Sequence, residues 1–259
     1  MRDPKTIIIT GASSGIGEAL ALHYARPEVV LALSGRDEAR LRDIAARCNE
    51  RGAATLPSVM NVTDQDAMAA WITGIAKDRR LDLVVANAGI SAGTGKGEGP
   101  EQIRRIYDIN VGGVMNTILP AIEVMQTQAP HDIDDKRGQI AIMSALASFR
   151  GFPGAPAYCA SKATVRIHGE ALRGELHHQG IEVSVICPGY VRSRMTARNK
   201  FRMPMLMDAD HAAQIIARGL ARNKARIAFP WPMYWLVRLI AGLPQFATDP
   251  LFRKLPKKD

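Results

Sequence analysis

Short apolar runs alternate with longer, charged, helix-periodic stretches from one end of the chain to the other. The runs at 5–10 (Lys-Thr-Ile-Ile-Ile-Thr), 29–34, 55–59, 81–86, 139–143, 181–187 and 227–229 read as strands. The first two are apolar through their centres, as a strand covered on both faces requires. Helices are expected between them, at about 15–25, 36–51, 63–77, 101–125, 157–178 and 208–222. Thr63-Asp64-Gln65-Asp66 reads as a capping box, and Gly180 as a helix stop. Residues 90–100, with Gly93, Gly95, Gly97 and Gly99, read as a loop, and 130–136 as an acidic surface turn. The crossovers are too long for hairpins. The pattern therefore predicts an α/β fold: one Rossmann-like, doubly wound parallel sheet of about seven strands flanked by helices. No repeat, linker or low-complexity tract divides the chain, so residues 1–259 are expected to form a single domain.

Composition narrows the class. A chain of 259 residues that is 47% hydrophobic is large enough for a full core. No apolar run approaches the ~20 residues that span a bilayer. The opening Met1-Arg2-Asp3-Pro4-Lys5 runs straight into the first strand, so no secretory signal is expected. Cys48, Cys159 and Cys187 are scattered and lack metal-ligand spacing. They point to a reducing, cytoplasmic setting without disulfides or a metal, and Cys159 reads as a small buried filler.

The formal charge of +9 is unevenly placed. From residue 192 onward there are 14 Lys/Arg against 4 Asp/Glu, a net of +10, whereas the first 191 residues hold 20 against 21. Such an asymmetry points to an anionic substrate, a membrane surface or a nucleic acid. The last lacks any recognised reading motif or phased aromatic platform.

Two constellations carry chemistry. Tyr158 and Lys162 are four residues apart on an expected helix, which stacks phenol and ammonium on one face. A nearby cation favours phenolate, so the tyrosine pKa is expected to fall from about 10 towards neutrality. Such a group can exchange a proton with an alcohol oxygen. Upstream, Gly11, Gly15 and Gly17 follow the first strand and open the first helix. Glycines there permit a tight turn and close approach of a pyrophosphate to helix N-terminal amides. The spacing is Gly-x-x-x-Gly-x-Gly rather than Gly-x-Gly-x-x-Gly. Residues 10–17, Asn61-Val62, Asn87-Ala88-Gly89, Ser144 and Pro188-Gly189 all fall at expected carboxyl ends of strands, where ligands of this fold bind.

With these motifs in hand, the chain closely resembles the classical short-chain dehydrogenase/reductase family over residues 5 to about 195. The resemblance rests on residues 10–17, Asn87-Ala88-Gly89, Asn110, Tyr158-x-x-x-Lys162 and Pro188-Gly189. It implies Tyr158 as acid/base and Lys162 as the group that lowers its pKa and holds the nicotinamide ribose. Asn110 would hold a water in the proton relay, and Asn61 and Val62 would lie beside the adenine. The dinucleotide would be held by Gly11, Ser13, Ser14, Gly15, Ile16, Gly17, Arg36, Asn61, Val62, Asn87, Ala88, Gly89, Tyr158, Lys162, Pro188, Gly189 and Val191. A homodimer or homotetramer is also implied.

The serine position departs from the family pattern. Counting 13 residues back from Tyr158 reaches Ala145, with Ser144 one residue away and Ser148 where the family has glycine. A neighbour on a strand points to the opposite face. Either the loop adjusts and Ser144 acts, which is the favoured expectation, or the polarising hydroxyl is missing. Cofactor choice turns on Ser34-Gly35-Arg36, where no acid follows the second strand; Arg36 suits a 2′-phosphate, so NADP(H) is favoured over NAD(H), with adjacent Asp37 weakening that preference.

The expected function is an NADP-dependent reductase of small-molecule ketones, or secondary-alcohol dehydrogenase in reverse. The alternative is a nucleotide-binding protein with little catalysis. Residues 190–226, with Met203, Met205 and Met207, form the expected substrate lid, suited to an apolar, lipid-like substrate. Residues 227–259 form an apolar and basic tail that either packs on protein or lies peripherally on the inner membrane surface.

Overall fold

The computed structural model describes residues 3–91, 98–131, 135–199 and 201–252. Strands β1 (Thr6–Thr10), β2 (Val30–Gly35), β3 (Ala54–Val59), β4 (Leu83–Ala86), β5 (Gly138–Met143), β6 (Ile181–Pro188) and β7 (Arg226–Phe229) form one sheet. All pairs are parallel, in the order β3-β2-β1-β4-β5-β6-β7. The order reverses between β1 and β4, and the crevice beyond their carboxyl ends is the topological switch point.

Helices α1 (Gly15–Tyr24), α2 (Glu38–Glu50), α3 (Gln65–Ala76), α4 (Pro100–Tyr107), α5 (Gly113–Thr127), α6 (Pro156–Leu176), α7 (Ala209–Ala221), α8 (Trp231–Gly242) and α9 (Gln245–Phe252) complete the chain. The strands look uniformly apolar because each face meets a different helical layer. Ile7 and Ile9 pack with α1, α2 and α7 on one side, whereas Ile8 packs with α3, α5 and α6 on the other. All three isoleucines are fully buried, so the period of two is hidden in sequence but present in space.

Local differences have local causes. The cap of α3 is Asp64, whose carboxylate accepts from Ala67 N at 3.0 Å, not Thr63. Asp has the shorter reach to the third amide, and Thr63 N is itself bonded to Asn61 Oδ1. The long helix expected at 101–125 is interrupted by a π-helical turn, Asp108–Gly112, which inserts one residue and re-aims Asn110. Pro120 is tolerated inside α5. The stop at Gly180 is left-handed, φ 72°. Gly93, Gly95, Gly97, the centre of the acidic turn at 132–134 and the basic end of the tail at 253–259 lie outside the described residues. The three cysteines are buried, and none is in a disulfide. Among the described residues no His/Cys/Asp/Glu group has a metal-holding arrangement, and no helix is long and apolar enough to cross a membrane.

Candidate active site

The switch point is stitched by main-chain contacts that the side chains of Thr10 and Asn87 complete. Asn87 Nδ2 donates to the carbonyls of Thr10 (2.9 Å) and Gly11 (3.2 Å). Thr10 Oγ1 accepts from the amides of Asn87 (3.1 Å) and Ala88 (3.2 Å). The end of β4 is thereby clamped to the turn after β1. Gly11 and Gly15 adopt φ of 66° and 62°, a region that side chains avoid. A Cβ on Gly17 would lie 2.3 Å from the Gly11 carbonyl oxygen and 2.6 Å from Asn87 Nδ2, so the helix can start this close to the strand only with glycine there. Ser14 is the N-cap of α1 without a side-chain capping bond, which leaves the first-turn amides to a ligand. This cradle of small residues and free donors suits a pyrophosphate.

Three further elements converge beside it. The π turn places fully buried Asn110 so that its Oδ1 accepts from Ile90 N (2.8 Å) and its Nδ2 donates to Ile90 O (2.9 Å) and Ser161 Oγ (3.1 Å). From α6, Lys162 extends its Nζ to the Met143 carbonyl at 2.9 Å. A Cβ on Gly89 would lie 3.2 Å from both Asn110 Oδ1 and Lys162 Nζ. The end of β4, the π turn and α6 thus meet at one point.

The electrostatics differ from the sequence expectation. Lys162 is buried, and desolvation pulls its ammonium down to about 8. Tyr158 lies half-buried in the first turn of α6. Burial raises its pKa above the ordinary value, and Cys159 and Tyr190 push it further the same way. The expected fall towards neutrality is therefore corrected for the ligand-free chain: desolvation of the phenol dominates, and the lysine does not offset it.

Ser144 also departs from expectation. Its hydroxyl is buried and donates to the Lys162 carbonyl at 2.8 Å, while its amide bonds Ile186 O. This bond ties β5 to α6 in the ligand-free chain. Ser148, in a short 3₁₀ turn (Leu146–Ser148), has a buried hydroxyl with no hydrogen-bond partner.

The remaining expected cofactor residues divide. Ser13 approaches Gly35 across the turn: a Cβ on Gly35 would meet Ser13 Oγ at 3.1 Å. Ile16 packs, partly buried, against the core. Arg36 is exposed at the end of β2 and has no ion pair among the described residues. Neighbouring Asp37 is engaged elsewhere, capping α2 through Arg40 N (3.1 Å) and pairing with the Arg40 guanidinium (2.8 Å). Asn61 is exposed; Val62 is buried against Gly113. Pro188 ends β6, and Gly189 N bonds Phe229 O at 2.7 Å. Val191 is a core residue whose carbonyl accepts from Thr196 Oγ1 at 2.8 Å.

Sequence reading missed Glu98 and Ser193. The Glu98 carboxylate accepts from the amides of Ala157 (2.5 Å) and Tyr158 (3.0 Å), capping the helix that carries the phenol from about sixty positions away. Ser193 closes over the turn, with its Cβ 3.0 Å from where a Gly15 Cβ would be. No local motif announces either residue. A groove of about 620 Å³ begins at the same turn, with Ser13, Ser14 and Gly15 at one end and Arg40, Arg47, Arg51, Arg192 and Arg194 along it; Tyr158 does not line it.

Known proteins match this arrangement. Residues 5–203 match the family described as short chain dehydrogenase. A protein of Myxococcus xanthus named an uncharacterized oxidoreductase is 37% identical over 253 residues, 97% of each chain. A short-chain dehydrogenase from Sphingobium yanoikuyae, solved in complex with NADPH, superposes with a TM-score of 0.77 at 26% identity, over 98% of this chain and 97% of that one. A short chain dehydrogenase/reductase from Burkholderia phymatum, solved with NAD, has the same fold, with a TM-score of 0.79 at 20% identity over 99% and 98%.

Proposed function

Because this chain belongs to the short-chain dehydrogenase family, we propose that it is an NADPH-dependent reductase of small-molecule ketones in which Tyr158 supplies the proton. The observation that carries this reading is the convergence of Gly89, Asn110 and Lys162 at the end of β4, one turn of α6 from Tyr158.

A bound nicotinamide dinucleotide supplies the hydride that the carbonyl carbon receives. The chain's own residues do the rest. The amides of Ser13, Ser14, Gly15 and Ile16 hold the pyrophosphate at the start of α1. Asn87, Ala88 and Gly89, with no Cβ at Gly89, would lie along the ribose and ring. Lys162 holds the ribose hydroxyls, and Asn110 fixes Ile90, the residue after Gly89. Pro188, Gly189 and Val191 are the residues at the end of β6 that would hold the dinucleotide from that side. Burial raises the Tyr158 pKa, so the phenol is protonated at neutral pH and can donate to the carbonyl oxygen. In this reading Ser144 Oγ stays with the Lys162 carbonyl, and position 145 is alanine. The phenol then polarises the substrate oxygen without a hydroxyl partner from β5.

NADPH is favoured because Arg36 is exposed and has no ion pair among the described residues, whereas Asp37, the acid that would suit a 2′-hydroxyl, caps α2 and pairs with Arg40. Exposed Met195 and Met205 in the lid region 190–226 support an apolar, lipid-like substrate. A cytoplasmic homodimer or homotetramer follows from the family reading.

The absent serine sustains a second reading, a dinucleotide-binding protein with little catalysis. NADPH oxidation over a panel of ketones separates the two. Turnover that disappears in Tyr158→Phe supports the reductase; tight NADPH binding with no turnover on any ketone supports the second reading.

A further inference from the structure

Among the described residues, exposed apolar side chains gather on one short stretch. Trp231 is 70% exposed, Trp235 60%, Leu239 67% and Phe246 81%, with Leu236 and Leu243 also exposed. Trp231, Trp235 and Leu239 follow one another at intervals of four along α8, so they form one stripe.

The orientation of that stripe is fixed from behind. Val237 is buried on the inner side. The Tyr234 hydroxyl accepts from Arg226 at 3.1 Å, and its ring meets Phe149 edge-on at 5.6 Å. The Arg238 guanidinium lies over the same Phe149 ring at 5.6 Å. Met233 backs Gly189, and from the next helix Thr248 accepts from Arg150 at 2.7 Å. The helix cannot roll its tryptophans inward without breaking these contacts. A contiguous exposed patch of this kind marks an interaction surface.

We propose that the outer face of α8, continuing to Phe246, docks the protein peripherally on an anionic lipid bilayer. Charge decides between lipid and a second copy. Residues 227–259 hold five bases (Arg238, Arg253, Lys254, Lys257, Lys258) against two acids (Asp249, Asp259). A second copy of this chain carries the same net positive charge, which opposes self-association. An anionic headgroup layer attracts the same charges while the tryptophans and leucines enter the acyl boundary. Tryptophan, with an apolar body and one polar N–H, suits that boundary. The same helix backs Gly189 and the loop after Ala145, so docking brings the edge of the carbonyl site to the lipid surface. The surface is independent of the redox reading, since its test measures binding and not turnover.

Flotation of the full chain with phosphatidylcholine vesicles, with and without phosphatidylglycerol, tests it. The wild type is expected to float with the anionic vesicles and to be released by salt. Trp235→Glu/Leu239→Glu is expected to lose partitioning by at least about tenfold while keeping its melting temperature. Should that variant misfold, Trp231→Ser/Trp235→Ser, which leaves the charge unaltered, gives the same readout. Wild type that does not float, or variants that float equally, overturns the proposal. So does wild type that stays off vesicles but changes from dimer to monomer in the variant by light scattering, which assigns the face to a second copy.

Discussion

The glycine-turn end of the crevice and its β5–β7 end are built on opposite principles. At the first, specificity comes from what is absent. Gly11, Gly15, Gly17 and Gly89 clear space, and Thr10, Asn87 and Asn110 spend their polar atoms bracing the backbone around that space. At the second, side chains crowd in. Arg166, Arg226 and Arg238 surround one ring, Phe149, with Glu170 shared by two of them. Buried polar atoms without partners occur at both ends: Ser34 Oγ and Arg40 Nε near the first, Ser148 Oγ, Arg166 Nε and Arg226 Nε near the second. On the proposed function the contrast separates two tasks. A cradle for a dinucleotide is generic and can be made of backbone, whereas the end we assign to the substrate would depend on particular side chains and be free to depart from family habit, as Ala145 does.

The sharpest way to break that comparison is Tyr158→Phe. Turnover should fall by about 10²–10⁴, while NADPH binding, owed to the glycine end, stays within a factor of two or so. Stopped-flow turnover and fluorescence titration read the two separately. If the variant loses cofactor affinity in step with turnover, the two ends are not separable.

Ala145→Ser probes the departure itself. A hydroxyl added on the face opposite Ser144 should raise kcat by about 10², the usual worth of one such donor. The gain should appear in kcat and not in the KM for NADPH. An unchanged rate means that the phenol alone already polarises the oxygen, and the substrate end has been rebuilt around that fact.

Arg36→Asp acts at the glycine end and should weaken NADPH by at least about tenfold while leaving NADH unharmed or improved. Equal loss of both dinucleotides would show that the residue supports α2 and does not read the phosphate.

The legibility of the chain follows the same division. Strands were visible because both faces of the sheet are covered, so apolar runs such as 5–10 and 29–34 stand out. The glycine turn was visible because steric demands act on residue type at fixed spacing. The π turn was not: its extra residue leaves no periodic mark when Ile109, Val111 and Val114 remain apolar. Glu98 was invisible because its partners, Ala157 and Tyr158, are distant in sequence. The Tyr158 shift was misjudged because spacing reveals a nearby charge but not the burial that outweighs it. The tail read as an apolar and basic run; only the packing of Tyr234 and Val237 shows which side of it faces out.

The smallest effect concerns Lys162, where the two ends meet. Desolvation pulls its pKa down to about 8 in the folded chain, from an ordinary value of about 10.5. A lysine depressed on folding leaves the native state with fewer protons than the unfolded state between those values, so stability rises with pH across that window. Below about pH 8 the full desolvation cost is present, and above about 10.5 none of it remains. Between pH 8 and 9 the gain amounts to about 1 kcal/mol. Tyr158 and Tyr24 work against it higher up: burial raises both phenols, so above pH 10 the unfolded state ionises first and stability declines. Urea unfolding at pH 8 and 9 of the cofactor-free protein, compared with Lys162→Met, isolates the lysine. The variant should lose the rise between the two pH values. Cys48 and Cys187, whose thiols burial raises to about 11, lower the wild-type slope in the same window, so the comparison with the variant carries the test: equal slopes for the two proteins would place the ammonium outside the low-dielectric junction of β4, the π turn and α6.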